Sequence, residues 1–261
     1  MIRISKLSQA YGEKTILKDI NLNIQDHKIT ALIGANGAGK STLVGVISRL
    51  LKPLAGEIFI DDIDIATLSS TEIAKKLSVL KQSNPVNVNL NVRDLVAFGR
   101  YPHSKGFLKT KDHQKINEAL AFMDLEAIEN QALHQLSGGQ RQRAFIAMIL
   151  AQDSDYIFLD EPLNNLDMRY AVEMMTILER LVKELKKTVV VVIHDINIAA
   201  AFANHIVAMK DGTIAYEGDV DEIIDKGVLD HVFDHDFCIQ CVNGQKICLY
   251  KTPEGIQRTL V

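Results

Sequence analysis

The chain has 261 residues, of which 47% are hydrophobic and 24% charged, the balance of a globular protein able to bury a core of its own. Its formal net charge of −4 argues against nucleic acid as a partner, since no basic excess is available to neutralise phosphates. No apolar run reaches the roughly 18 residues of a membrane span. The opening MIRISKLSQAYG lacks the apolar segment of a secretory signal, so the chain is expected in the cytosol.

The first third reads as β-rich. Ile20, Leu22 and Ile24 alternate with polar residues as in a half-buried strand, and ITALIG (29–34) is a short continuous apolar run. That run leads directly into GANGAGKS (34–41), which satisfies G-x-x-x-x-G-K-[ST], and then into the helical STLVGVISRL. Strand, loop and helix in this order are the context in which the motif binds a nucleoside triphosphate. Gly37 and Gly39 let backbone N–H groups curl around phosphate oxygens, Lys40 reaches the β and γ phosphates, and Ser41 is placed to ligate Mg²⁺.

From Ser83 to His134 no comparable apolar strand occurs. VRDLVAFGR and KINEALAFMDLEAIE carry helical spacing around the loop YPHSKGFLKT, so this stretch is read as a helical insertion. It ends at LSGGQRQR (136–143), where Ser137 is an N-cap candidate and the Gly pair bares a helix N-terminus suited to an anion. The chain thus carries two anion cradles.

YIFLDEP (156–162) is a buried strand delivering two acids to the sheet edge, where ligands of open α/β sheets collect. Asp160 is placed to hold Mg²⁺, and Glu161 to act as a general base toward water. A helix follows from Tyr170 to Lys187, its apolar positions including Val172, Met175, Leu178, Leu181 and Leu185. TVVVVIH (188–194) and HIVAMKDG (205–212) are further buried strands, so the core is α/β with a largely parallel sheet. The pairs Lys75–Lys76 and Lys186–Lys187 read as solvated helix ends. Near the end, His231, His235, Cys238 and Cys241 have a zinc-like spacing, but FCIQCV, Asn243-Gly244 and KICLY read more simply as a β-hairpin. On a strand, Cys238 and Cys241 face opposite ways, so they and Cys248 are expected to be packing cysteines.

In family order and spacing, over nearly the whole chain, these motifs resemble those of the ATP-binding cassette (ABC) ATPases. GANGAGKST is similar to Walker A, Gln82 to the Q-loop glutamine, LSGGQ (136–140) to the signature, and YIFLDEP to Walker B. NNLD (164–167) resembles the D-loop, and His194 the switch histidine. The resemblance implies a P-loop NTPase (RecA-like) core with a mostly parallel sheet, an antiparallel β part near the N-terminus, and an inserted α-helical subdomain. It implies one cassette domain, with core 1–83 and 141–235, helical signature subdomain 84–140, and C-terminal β-hairpin 236–251.

The implied site is specific. Glu161, His194, Gln82 and Lys40 would be catalytic, and Ser41, Gln82 and Asp160 would hold Mg²⁺. ATP would be contacted by Tyr11 through its adenine and by Gly34, Ala35, Asn36, Gly37, Ala38, Gly39, Lys40, Ser41 and Thr42. Ser137, Gly138, Gly139, Gln140 and Asp167 would touch the ATP held by a second copy, although a helix-capping role is a rival for Asp167. Ala35 and Leu163 depart from frequent Pro and Thr at positions without chemistry.

Within the family, LVAFGRYPHSKG resembles cassettes powering uptake of ferric siderophores, haem and cobalamin, and the stretch from QRAFIAM through VVVIHDINIAAAFANHIVAMKDG is similar to the siderophore branch in particular. The likeness is greatest to petrobactin-type and other catecholate siderophore importers. It implies an ATPase homodimer on the inner face of the cell membrane, joined to two integral membrane permease subunits and indirectly to a substrate-binding protein. Haem or cobalamin import, and a soluble non-transport ABC ATPase, are the alternatives.

Overall fold

The computed structural model describes residues 1–82, 90–164 and 166–250. Twelve strands are seen among them, in three sheets. The first sheet is antiparallel, ordered β2-β1-β4-β5, from β1 (Ile2–Tyr11), β2 (Lys14–Ile24), β4 (Ala55–Ile60) and β5 (Ile63–Asp64). The second is ordered β10-β9-β3-β8-β7-β6, from β3 (Ile29–Ile33), β6 (Leu77–Leu80), β7 (Tyr156–Leu159), β8 (Thr188–Val192), β9 (His205–Lys210) and β10 (Thr213–Gly218). Within it β6, β7, β8, β3 and β9 run parallel, and β10 alone turns back. The third is the hairpin of β11 (Phe237–Val242) and β12 (Gln245–Tyr250).

Alternation along the parallel strands divides their side chains between two cores. Leu32, Phe158, Val190, Val192 and Val207 face the antiparallel sheet and helix α1 (Lys40–Ile47). Ala31, Ile157, Leu159, Val189, Val191 and Ile206 face the helices on the other side. Continuous apolar runs such as ITALI and TVVVV are thus buried on both faces, as the connections of a parallel sheet require.

Between Lys76 and Tyr156 the described chain is helical apart from β6: α3 (Val92–Phe98), α4 (Tyr101–Ser104), α5 (Thr110–Phe122) and α6 (Gly138–Ala151) follow the short α2 (Ser70–Lys76). The expected loop YPHSKGFLKT holds a one-turn helix, because Pro102 sits at a helix start where its missing N–H is harmless. KINEALAFMDLEAIE is not one helix: α5 stops at Phe122, and Asp124 turns into the left-handed region. Arg100 binds the insertion together, its Nε 2.9 Å from Asp112 Oδ1 and its Nη1 donating to Ala151 O at 2.7 Å. The remaining helices are α7 (Met168–Leu185), α8 (Ile196–Phe202), α9 (Val220–Ile223) and α10 (Lys226–Phe233).

Two expectations about solvent exposure are corrected. Lys187 is buried, because its ammonium reaches Asp153 and Asp155 across the turn before β7. Val172 and Leu185, placed on the apolar side of α7 by spacing, stand exposed near its two ends. Among the described residues no helix is long and apolar enough to cross a membrane.

Candidate functional site

The parallel strands β3, β6, β7 and β8 end at one sheet edge, and each delivers candidate residues there. After β3 comes the loop Gly34–Gly39, after β6 Gln82, after β7 Asp160 and Glu161, and after β8 His194. The loop's shape depends on its glycines. Gly34, Gly37 and Gly39 have φ of +142°, +83° and +104°, backbone regions that a side chain disfavours. A Cβ on Gly34 would also lie 2.2 Å from Met209 O. Gly37 meets nothing within 4 Å, so the loop's crown is open while its base is packed. Ala35 and Asn36 are exposed beside it, Ala38 is buried with its N–H on Ala35 O at 3.2 Å, and Thr42 is half-buried in the first turn of α1.

Lys40 is only 5% exposed, and its Nζ donates to Gly34 O at 2.8 Å and Ala35 O at 3.0 Å. Burial lowers its pKa, opposed by the charges of Glu161 and Asp160. Ser41 Oγ donates to Asp160 Oδ1 at 2.9 Å, joining the start of α1 to the end of β7. Burial raises the pKa of Asp160, and the neighbouring Glu161 charge adds to that, while the Ser41 hydrogen bond, Lys40 and His194 oppose it. A hydroxyl and a carboxylate converging here form the oxygen donor set that a hard divalent cation such as Mg²⁺ prefers.

Glu161 is the most constrained side chain of the site. Its backbone is left-handed (φ 54°), rare for a residue with a Cβ and found preferentially at functional turns. One carboxylate oxygen, Oε2, accepts from Gln82 Nε2 at 2.7 Å and from Asn164 Nδ2. The other, Oε1, lies 2.7 Å from His194 Nε2. Gln82, Glu161 and His194 are thereby brought together, joined by Asn164, whose place in the D-loop-like NNLD gave no sign that it holds Glu161. Tyr11 ends β1 and is 52% exposed. It lines a cleft of about 320 Å³ together with Ser41, Gln82, Lys81 and Asp160.

LSGGQ forms a second, separate group. Ser137 caps α6, its Oγ accepting from Gln140 N–H at 3.2 Å while Gln140 Oε1 accepts from Ser137 N–H at 3.0 Å. The two glycines differ. A Cβ on Gly139 would meet the Tyr170 ring at 2.9 Å, whereas a Cβ on Gly138 would meet nothing within 4 Å. Asp167 caps α7, accepting from Tyr170 N–H at 3.0 Å, so the capping role holds within this chain. Asn165, part of the expected D-loop, lies outside the described residues, as do positions 84–89 of the expected helical subdomain and position 251 of the expected hairpin.

In the hairpin, Cys241 shares a face with Cys248, and Cys238 lies on the other, as the register Ile239↔Cys248 and Cys241↔Lys246 requires. Only Cys248 is a packing cysteine. Cys238, at the base of the hairpin, is half-buried, and Cys241, near its turn, is exposed like the rest of that end of β11. Burial pushes the Cys248 thiol up to about 11, helped by the charges of Asp230 and Asp195. On the helical insertion, Phe98, Tyr101 and Phe107 stand exposed.

Three comparisons bear on this arrangement. The sequence profile described as ABC transporter matches residues 17–164. The chain is 52% identical over 250 residues to the petrobactin import ATP-binding protein YclP of Bacillus subtilis (strain 168), covering 96% of this chain and 99% of that protein. It is 44% identical to the petrobactin import ATP-binding protein FatE of Bacillus anthracis, covering 90% and 94% of the two chains. Its fold is similar to the dimeric structure of MJ0796, a bacterial ABC transporter cassette, with a TM-score of 0.74 and 34% identity over 84% of this chain and 99% of that one.

Proposed function

Because this chain belongs to the ABC transporter family, we propose that it is the ATP-hydrolysing subunit of an importer of an iron–siderophore complex. The observation that carries the hydrolytic part is the Glu161 carboxylate, held by Gln82, Asn164 and His194 beside the Ser41–Asp160 pair and the Lys40 loop. The glycine loop and Lys40 bind the triphosphate, Tyr11 takes the adenine, and Glu161 accepts the proton of the water that attacks the γ-phosphorus. His194 and Gln82 hold that carboxylate and the water in line. Ser41, Asp160 and Gln82 are the residues that would hold Mg²⁺, which when bound supplies charge neutralisation on the phosphates.

Two copies of the chain meet head to tail in this reading. Ser137, Gly138, Gly139 and Gln140, with Asp167, face the nucleotide bound by the other copy. Support comes from the second cradle, which has neither a lysine nor paired acids of its own, and from the dimeric cassette whose fold is similar. The core is assigned to 1–83 and 141–235, the helical signature subdomain to 84–140 and the terminal hairpin to 236–251. The exposed Phe98, Tyr101 and Phe107 favour a permease subunit docking on the helical insertion. In this reading the chain sits on the inner face of the membrane, with two permease subunits and, through them, a binding protein.

The siderophore assignment rests on the likeness to petrobactin import proteins. Deleting the gene and supplying single iron sources under iron limitation tests it: growth on one ferric catecholate siderophore should be lost, with growth on haem retained. Undiminished growth on every ferric siderophore would refute the assignment.

A further inference from the structure

His194 sits at the joint between a fixed strand and a short helix. Ile193 N–H donates to Leu32 O at 3.1 Å, so β8 is tied to the sheet up to the preceding residue. Immediately after His194, Asp195 caps α8, its Oδ1 accepting from Asn197 N–H at 2.8 Å and Ile198 N–H at 3.0 Å. At seven residues, α8 is too short to hold itself, since isolated helices under about 12 residues are marginal. Its placement must come from what it packs against.

It packs against β3 and α7 and, most extensively, against β12 of the C-terminal hairpin. Asn197 Nδ2 donates to Cys248 O at 3.1 Å, and Cys248 N–H donates to Asn197 Oδ1 at 2.8 Å. One side-chain amide thus satisfies both backbone groups of a β12 residue, imitating a further strand across 51 positions of sequence. Around this clip Ile196, Ile198, Ala199, Phe237 and Cys248 share one buried cluster. His194 itself is 37% exposed at its side chain, so the 2.7 Å approach to Glu161 depends in part on the backbone on either side.

We propose that Asn197 is a positioning residue: by clipping the first turn of α8 to Cys248, it makes the C-terminal hairpin the outer support of His194 and of its contact with Glu161. This rests on the hydrolytic reading of Glu161 and His194 given above. The hairpin lies outside the family profile match, which ends at residue 164, and among the described residues the side chains bonded to the carboxylates of Asp160 and Glu161 are those of Ser41, Gln82, Asn164 and His194, none of them in the hairpin. Its contribution is to orientation, so it should appear in turnover and not in nucleotide binding.

The test uses the full chain and four proteins: unaltered, Asn197→Leu, His194→Ala and the double variant. Leu has nearly the shape of Asn but neither hydrogen-bonding group. Asn197→Leu should lower kcat about 10- to 100-fold, the scale of a small misplacement of a reacting group, with KM for ATP within about twofold. The imidazole nitrogen resonances of His194 should shift. In the His194→Ala background the same substitution should produce no further loss, because the group it positions is gone. Equal fold losses in both backgrounds, or full kcat in Asn197→Leu, would overturn the proposal. A slow His194→Ala chain beside a full-rate Asn197→Leu chain removes this inference alone, whereas a full-rate His194→Ala chain removes the hydrolytic reading and this inference with it. If Asn197→Leu does not fold, Asn197→Asp, which keeps the acceptor for Cys248 N–H and loses the donor, enters the same cycle.

Discussion

The two glycines of LSGGQ respond in opposite ways to an added methyl group, and that difference separates folding from function. In Gly139→Ala the new carbon lies 2.9 Å from one Tyr170 ring atom and 3.2 Å from two others. Carbon contacts are relaxed near 3.5 Å, so the ring has to retreat by roughly 0.6 Å, and overpacking of this kind costs about 1–3 kcal/mol. Higher helix propensity returns at most about 1 kcal/mol. In Gly138→Ala nothing lies within 4 Å, so only the propensity gain remains. Gly139→Ala should therefore be less stable than Gly138→Ala by about 1–3 kcal/mol, or about 2–6 °C in melting temperature for a chain of this size. Gly138→Ala should fold and bind ATP normally yet hydrolyse it slowly, because its methyl stands on the surface assigned to the other copy's nucleotide. Thermal melts, nucleotide binding and steady-state hydrolysis on both variants decide it. Equal melting temperatures would refute the packing reasoning, and full hydrolysis by Gly138→Ala would refute the surface assignment.

Glu161→Gln should keep ATP binding and lose turnover by about 100-fold or more. The amide oxygen can still accept from Gln82 and Asn164 while its NH₂ faces His194 Nε2, so near-normal hydrolysis would sink the base assignment. Arg100→Met should destabilise the chain by about 3 kcal/mol, the lower end for breaking a buried ion pair, because Asp112 keeps its bond from Lys109 N–H at 2.9 Å. Adding Asp112→Leu should recover most of that loss in urea denaturation, and an undiminished deficit in the double variant would show that the pair itself stabilises the insertion. Asp61 gives a pH signature. Burial opposes its charge, but Lys76, Tyr156 and the amino terminus outweigh burial and hold its pKa at about 2. A depressed carboxylate contributes stability that is complete above its unfolded pKa and lost as pH falls through the folded one. Asp61→Asn should therefore flatten the acid side of the stability profile, and an unchanged acid limb would contradict the assignment.

The parallel sheet and its edge were legible because both are local signals. ITALI, YIFL and TVVVV are short, largely apolar runs, and each leads within a few residues into a candidate site residue, so strand, loop and acid can be read without knowing what packs where. The groups that hold those residues still were not legible. Nothing in DEPLNN says that Glu161 adopts a left-handed backbone or that Asn164 turns back onto it. Asn197 and Cys248 are 51 positions apart, and their pairing depends on how the hairpin lands on α8. Lys187 looked like a solvated helix end because its acids, Asp153 and Asp155, come from a different turn. Chemistry was written in short motifs, whereas support is tertiary.

The same distinction changes what the LSGGQ stretch says about a second copy. A pair of glycines at a helix start reads as one signal for an anion, but Gly139 is accounted for inside this chain by the Tyr170 ring. The first helical bond runs from Arg141 N–H to Ser137 O, and the cap uses Gln140 N–H. Helix geometry therefore leaves the N–H groups of Gly138 and Gly139 directed out of the end of α6. Ser137 Oγ accepts within the cap and keeps its own proton to donate. What remains for an incoming phosphate is one hydroxyl and two backbone donors, with Gly138 the only position where the absent side chain serves the approach and not the packing. Substitution there carries the strongest information about whether the site is completed by another molecule of the same chain.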